Sequence, residues 1–219
     1  MIRIILATSN RGKQIEIEAF LNSSNSKEKD NFEVLAYSDL IEPFEIEENG
    51  TTFKENAIIK AEAVFDELRK KFPSDDKLII IADDSGISIK ALNNEPNIFS
   101  ARYSGANATD KSNVQKVIDN LNKINTAESQ AFYTSAIAIV SVQDNKKVIN
   151  TVHGWLYGKV INEARGSNGF GYDPIFIPEN KENISKTLGE LSANEKESYS
   201  HRIKALRLAK VVINSIKRI

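Results

Sequence analysis

Leu78-Ile79-Ile80-Ile81-Ala82-Asp83-Asp84-Ser85-Gly86 is the stretch that decides how the rest of the chain is read. Four large aliphatics and an alanine in succession predict a short strand buried on both faces, inside a sheet covered on either side. Two adjacent carboxylates, Asp83 and Asp84, then stand at its expected carboxyl end, followed by a hydroxyl and a turn glycine. In open α/β sheets ligands gather just outside the carboxyl ends of strands. Negative charge at such an edge suits Mg²⁺ and a phosphate ester. The same residue types also close strands that carry no chemistry, so the stretch by itself leaves both readings open.

Upstream, residues 2–7 predict a first buried strand. It is followed by Thr8-Ser9-Asn10-Arg11-Gly12-Lys13 and a helix to about Leu21, with Ile15, Ala19 and Phe20 on its apolar side. Strand, hydroxyl- and glycine-bearing loop, then helix is the geometry of a phosphate cradle. Backbone N–H groups and the positive end of the helix dipole face the anion there. The Gly-x-x-x-x-Gly-Lys spacing of a P-loop is absent, and an ordinary capped helix start reads alike. Residues 22–31 are polar and serine-rich, a surface loop, and residues 32–37 predict a second strand. An acidic turn, Glu45-Ile46-Glu47-Glu48-Asn49-Gly50, precedes a long helix opened by the capping box Thr52-x-x-Glu55. Phe53, Ala57, Ala61, Val64, Phe65, Leu68 and Phe72 share one face of that helix. Asn56 and Lys60, four apart, lie at the edge of that stripe, where Lys60 either looks into a cleft or is solvated.

Downstream, residues 86–92 alternate as a further strand, and residues 93–107 form a long loop containing Pro96. Thr109 caps a helix with Val114, Val117, Ile118 and Leu121 on one side. Residues 131–142 and 147–160 predict two long strands joined as a hairpin through Gln143-Asp144-Asn145-Lys146. The glycine-dense segment Gly166-Ser167-Asn168-Gly169-Phe170-Gly171-Tyr172-Asp173-Pro174 is expected to expose two rings, a face for a planar ligand. A short strand at 175–177 follows. Ser192-x-x-Glu195 is a second capping box, starting a last helix. Its first turns carry Lys196, Ser200, His201 and Arg202, and its later turns Ile203, Leu206, Ile213 and Ile216. With no repeat and no linker, residues 1–219 read as one domain.

Composition narrows the function classes. A length of 219 residues supports a sizeable core, and 41% hydrophobic with 27% charged residues is ordinary for a globular protein. A net charge of −1 offers no basic field for nucleic acid or an anionic membrane. The absence of cysteine excludes disulfides and thiolate metal sites, and two histidines, His153 and His201, argue against a His-rich zinc site. No apolar run approaches the roughly 20 residues of a membrane span, and the first residues carry no signal-peptide pattern. A cytoplasmic location is expected.

Six segments, in order along essentially the whole chain, form a set. They are Ala7-Thr8-Ser9-Asn10-x-Gly12-Lys13, Glu47-Glu48-Asn49-Gly50-x-Thr52-Phe53-x-Glu55-Asn56-Ala57, and Ala82-Asp83-Asp84-Ser85-Gly86. Ser100-Ala101-Arg102-Tyr103-Ser104-Gly105, Gly169-Phe170-Gly171-Tyr172-Asp173-Pro174 and Glu195-Lys196-x4-His201-Arg202 complete it. The set resembles the inosine triphosphate pyrophosphatase family, which hydrolyses deaminated purine nucleoside triphosphates such as ITP, dITP and XTP. The resemblance implies an elongated, two-lobed α/β fold: a long mixed sheet flanked by helices, with an active-site cleft between the lobes. It implies a homodimer, Mg²⁺ dependence, and cleavage to the monophosphate and pyrophosphate. By position it gives Thr8, Ser9, Asn10, Arg11, Gly12, Lys13 and Lys60 to the phosphates. Glu47 and Asp84 go to Mg²⁺, and Asp84 is also the catalytic base. Ser85 goes to the substrate, while Phe170, Gly171, Tyr172, Asp173, Lys196, His201 and Arg202 enclose the base. Ser9 and Asn97 stand where glycine is usual in the family.

Elementary chemistry agrees with that assignment. A triphosphate carries about four negative charges near neutrality, which a metal and lysines must offset. Consecutive strand residues point to opposite faces, so Asp83 and Asp84 cannot both aim at one metal in a regular strand. Asp84 therefore leads and Asp83 supports. Lys196 and Arg202 only donate hydrogen bonds. A 6-oxo group satisfies them and a 6-amino group does not, a difference of about 1–3 kcal/mol per buried donor. This disfavours adenine and leaves guanine undistinguished. The rival readings are a Maf-like nucleotide pyrophosphatase of other base specificity and a non-catalytic nucleotide-binding module. The Phe-Gly-Tyr-Asp and His-Arg segments oppose the first, and Glu47, Asp84 and Lys13 together oppose the second.

Overall fold

Three parallel strands begin the architecture. β1 (Ile2–Leu6) runs parallel to β2 (Phe32–Ala36) on one side and to β3 (Leu78–Ile89) on the other. Parallel neighbours need crossover connections, and α1 (Arg11–Asn22) and α2 (Phe53–Lys71) lie in the two connecting segments. After α3 (Asp110–Lys123) the chain forms β4 (Glu128–Gln143), β5 (Lys146–Ile161), β6 (Phe176–Pro178) and α4 (His201–Ile216). The strand order is β2-β1-β3-β4-β5-β6, with β5 and β6 antiparallel, so the fold is α/β with a mixed six-stranded sheet. The computed structural model describes residues 2–22, 32–73, 78–179, 185–192, 195–196 and 198–216. The surface loop expected at 22–31 lies, after Asn22, outside the described residues.

The chain divides into two compact units. The first comprises Met1–Asp84, Ala136–Gly154 and Ile203–Ile219; the second comprises Ser85–Ser135 and Trp155–Arg202. Each has a core. In the first, Ile4 and Leu6 of β1, Ile79 and Ile81 of β3, and Ile137 and Ile139 of β4 meet Ile17 and Leu21 of α1 and Ala205, Leu206, Ala209 and Ile213 of α4. In the second, Ile87 and Ile89 of β3 pack with Val117 and Leu121 of α3, Tyr133 of β4, Leu156 and Val160 of β5, and Phe176 of β6. Truncating a fully buried aliphatic such as Leu121 to Ala should cost about 2–5 kcal/mol.

Four local expectations change. The run at 78–82 does not end at the carboxylates: β3 is one continuous strand through Ile89, with Asp83 and Asp84 in its interior. On α1 the buried positions are Gln14, Ile17 and Leu21, while Ile15 and Ala19 are exposed. Residues 14, 17 and 21 recur at helical spacing, which one polar member concealed. At the start of α2, Thr52 Oγ1 accepts from Glu55 N (3.1 Å), but the Glu55 carboxylate turns to Thr51 N and Oγ1 rather than closing the box on Thr52. Ser192 and Glu195 do form a reciprocal cap, yet the last long helix begins at His201, after a turn at Ser198 and Tyr199. The hairpin between β4 and β5 is as expected, with Asp144 and Asn145 both at positive φ, the conformation that a two-residue turn between twisted strands requires.

Candidate functional site

In the first unit the site starts from a mismatch in strand length. Leu6, the last residue of β1, pairs with Ile81, and Ala7 N donates to Ile81 O (2.8 Å). β3 runs on past that point, so Asp83 and Asp84 emerge where their parallel neighbour has stopped. The carboxyl-end rule thus applies through β1 rather than β3. Strand alternation then separates the two carboxylates. Asp83 pairs with Lys13 of α1 (Nζ to Oδ2, 2.8 Å), and Asp84 accepts from Lys60 of α2 (Nζ to Oδ1, 2.8 Å). Lys60 also donates to Glu48 Oε2 (2.9 Å). Its place at the edge of the apolar stripe of α2 carries it into this cluster rather than into solvent.

The loop leading into α1 is braced from within. Asn10 N donates to Thr8 Oγ1 (3.2 Å), and Asn10 Oδ1 accepts from Lys13 N (3.1 Å), capping the helix. The buried Gln14 donates through Nε2 to Thr8 O (2.8 Å) and accepts from Arg11 Nη1 (3.2 Å). Ser9, Arg11 and Gly12 are exposed. The first turn of α1 contains no acidic residue, so its positive end is uncompensated by a carboxylate. Asn56, also buried, accepts from Gly50 N (2.9 Å) and fixes the acidic turn against α2. On that turn Glu47 is exposed, and the carboxylate that meets Lys60 belongs to Glu48.

Burial holds the Asp84 carboxyl above the usual carboxylate range, against the opposing charge and hydrogen bond of Lys60 and the charge of Lys13. Burial alone would depress Lys60, but Asp84 and Glu48 together keep it above its ordinary value. Asp84 Oδ2 is buried and has no hydrogen-bond partner among the described residues. An oxygen in that state is costly unless something meets it. It is a hard donor of the kind Mg²⁺ takes, and Mg²⁺ needs only one or two protein carboxylates beside waters and phosphate oxygens. Among the described residues, no three His, Asp or Glu side chains stand together as a complete metal cage.

The second unit carries a different set. Phe170 is exposed, but Tyr172, expected as a second exposed ring, is 4% exposed and donates through its hydroxyl to Ser100 O (2.7 Å). Asp173, buried, accepts from Phe170 N (3.0 Å) and is hydrogen-bonded and ion-paired to Lys196. Lys196 Nζ lies 5.4 Å from the Phe170 ring centroid, so one ammonium serves both a carboxylate and an aromatic face. Burial raises the Asp173 carboxyl, with the Lys196 charge opposing. Gly169 has positive φ, and a Cβ there would collide with Asp173 Oδ2 and Lys196 Nζ, so only glycine passes this point. Gly171 N donates to Asp110 Oδ2 (2.7 Å), tying the loop to the first turn of α3. Arg202, 2% exposed, donates through Nη2 to Ser85 Oγ (3.1 Å), and the His201 ring stacks on Tyr133.

Thus Lys13, Lys60 and Asp84 come together with Asp83 and Glu48 in one unit. Phe170, Asp173 and Lys196 come together in the other, as do Ser85 and Arg202. Gln14, Asp110 and Tyr133 were absent from the sequence reading. Only Gln14 left a signal, its helical spacing with Ile17 and Leu21.

A model of the Ham1 family matches residues 4–211. A dITP/XTP pyrophosphatase of Nautilia profundicola is 50% identical over 215 residues, 98% of this chain and 99% of its own length. One of Sulfurimonas denitrificans is 49% identical over 215 residues, with 98% and 100% covered. The solved structure of a HAM1 protein from Coxiella burnetii aligns with TM-score 0.80 at 35% identity, covering 98% of this chain and 100% of that one. With relatives of that identity along its whole length, and the braced loop, paired lysines and glycine-rich aromatic loop all falling inside the matched region, this chain belongs to the Ham1 family.

Proposed function

We propose that this chain is a nucleoside triphosphate pyrophosphatase that hydrolyses deaminated purine nucleotides, ITP, dITP and XTP, to the monophosphate and pyrophosphate. The observation that carries the reading is the arrangement at Asp83 and Asp84, where consecutive carboxylates each hold a lysine and Asp84 Oδ2 has no hydrogen-bond partner among the described residues. Relatives about half identical over their full length bear the name dITP/XTP pyrophosphatase, which supports the same activity.

Two lysines face three carboxylates in this cluster, leaving a surplus negative charge. A triphosphate would be repelled unless a cation joins it. Asp84, through Oδ2, and Glu47 would hold Mg²⁺, which when bound supplies charge neutralisation and Lewis-acid polarisation of water and phosphate oxygens. Lys13 and Lys60 exchange carboxylate partners for the β- and γ-phosphates. The backbone at Asn10, Arg11, Gly12 and Lys13, with Thr8 and Ser9, receives further phosphate oxygens at the positive end of α1. Asp84 Oδ1, released as Lys60 turns to the phosphates, takes the proton of the attacking water, a task the raised pKa of this carboxyl favours. Water oxygen bonds to the α-phosphorus, the α–β bridging bond breaks, and pyrophosphate leaves. Phe170 offers the stacking face for the purine, with Gly171, Tyr172 and Asp173 shaping the loop. Lys196, His201 and Arg202 select the base, two of them by donating to a 6-oxo group, and Ser85 positions Arg202. A homodimer and a cytoplasmic location belong to the same proposal and rest on the family resemblance, together with the cysteine-free composition for the location. Sizing by light scattering tests the dimer. No helix among the described residues is long and apolar enough to cross a membrane.

Product analysis with ITP, Mg²⁺ and ¹⁸O-labelled water tests the chemistry. IMP and pyrophosphate should form in equal amounts with the label in IMP. Orthophosphate with IDP, or label in pyrophosphate, would overturn the assignment of the scissile bond.

A further inference from the structure

Tyr133 occupies a position that the mechanism above does not use. It is 8% exposed on β4, and its ring makes two contacts of different kinds. Against Phe176 the centroids are 4.7 Å apart and the planes are tilted by 56°, the oblique packing of a core. Against His201 the centroids are 4.9 Å apart and the planes differ by 10°, a parallel stack. Its hydroxyl is buried with no hydrogen-bond partner among the described residues, and burial keeps it protonated. Tyr133 therefore touches His201 on one side and the core, through Phe176, on the other.

A histidine at the first residue of a helix depends on its neighbours for the plane of its ring. Both side-chain torsions stay open unless a neighbour restricts them. A parallel aromatic neighbour restricts both, because only one ring plane preserves the contact. Tyr133 is itself wedged by Phe176, so it transmits core rigidity to the imidazole.

We propose that Tyr133 is a positioning residue for base recognition, holding the His201 imidazole in one plane and tying it to the core at Phe176. This rests on the pyrophosphatase reading for its functional consequence, but the stack can be measured without turnover. The chain has only two histidines, so an imidazole NMR spectrum contains two sets of ring signals, and a His153→Gln variant assigns them. In the wild-type protein the His201 ring protons should be displaced upfield by the Tyr133 ring. Tyr133→Phe keeps the stack and should retain that displacement. Tyr133→Leu should abolish it, raise KM for ITP about tenfold and change kcat less than threefold, a split expected of lost orientation rather than lost chemistry. Tyr133→Phe should rescue KM to within about threefold of wild type.

Wild-type His201 signals at solvent-exposed positions overturn the proposal before any variant at 133 is made. It also fails if Tyr133→Leu leaves KM unchanged, or if Tyr133→Phe is as impaired as Tyr133→Leu. If Tyr133→Leu does not fold, the wild-type spectrum and Tyr133→Phe still decide. A protein with the displaced His201 signals and no ITP hydrolysis would instead overturn the pyrophosphatase reading and leave the stack standing.

Discussion

Under the proposed function the two units would meet a nucleotide with different materials. In the first, charge is mounted on a strand interior and two helices: Asp83 and Asp84 on β3, Lys13 on α1, Lys60 on α2. Strand geometry fixes the carboxylates on opposite faces, and each carries its own cation. In the second, the groups sit on a glycine-rich loop and around a helix start, with an exposed ring, one ammonium shared between Asp173 and Phe170, and a buried guanidinium on Ser85. Phosphates look the same in every nucleotide, so rigid charges suffice for them. Bases differ by single donors and acceptors, which hydrogen-bond geometry on a shaped loop can tell apart. Damage to the first unit should therefore hurt all substrates alike, and damage to the second should hurt them unequally.

The largest effect is expected at Asp84. Asp84→Asn should lower kcat by about 10²–10⁴ for every nucleotide tested while largely preserving binding, since a general base is lost. Steady-state rates with ITP and XTP, beside an equilibrium titration, check this, and a variant retaining more than about a tenth of wild-type kcat breaks the assignment. Lys60→Met should follow, with a loss of about ten- to hundredfold at pH 7 from a charged hydrogen bond. It should also move the pH profile. Protonated Asp84 cannot accept a proton, so kcat/KM falls as pH drops through its raised pKa. Removing Lys60 takes away an influence that lowers that pKa, so the acidic limb should shift to higher pH. A limb that stays in place would mean another group titrates.

In the second unit, Arg202→Ala should lower kcat/KM for ITP by about five- to hundredfold and leave ATP nearly unchanged, sharpening the contrast. Equal losses on both would assign Arg202 to the fold or the phosphates, and a melting curve separates those two. The smallest effect belongs to Gln14→Met, which keeps the volume and removes the bond to Thr8 O. KM should rise about two- to tenfold, equally for ITP and ATP, with pyrophosphate inhibition weakened in step.

Much of the skeleton could be read from periodicity, because β1, α2, α3 and the hairpin announce themselves by apolar spacing and turn chemistry. What escaped was tertiary. Nothing in Ala82-Asp83-Asp84-Ser85 says that the strand continues, since buried carboxylates are tolerated there only because lysines from two helices reach them. Tyr172 read as exposed because loops with glycine usually show their rings, yet Ser100 O lies within reach of its hydroxyl. Gln14 went unnamed because its type is polar, although the Thr8 carbonyl satisfies it indoors. Lys60 stood between two readings until Asp84 and Glu48 were located, since a lysine at the rim of an apolar face points wherever its partner is.

The interleaving of the two units has a consequence for biosynthesis. All residues of the second unit have been polymerised once the ribosome passes Arg202. At that moment the first unit still lacks Ala205, Leu206, Ala209 and Ile213, against which Ile4, Ile17, Leu21 and Ile79 close. Domains made vectorially are usually finished from the amino end. Here the unit holding β1 is completed after the unit holding β6, so a nascent chain carries β1 with an open hydrophobic face until α4 has been made. Chaperone contact during synthesis should fall on β1 and α1, and a stalled chain ending at residue 202 should be captured there while its second unit already resists protease.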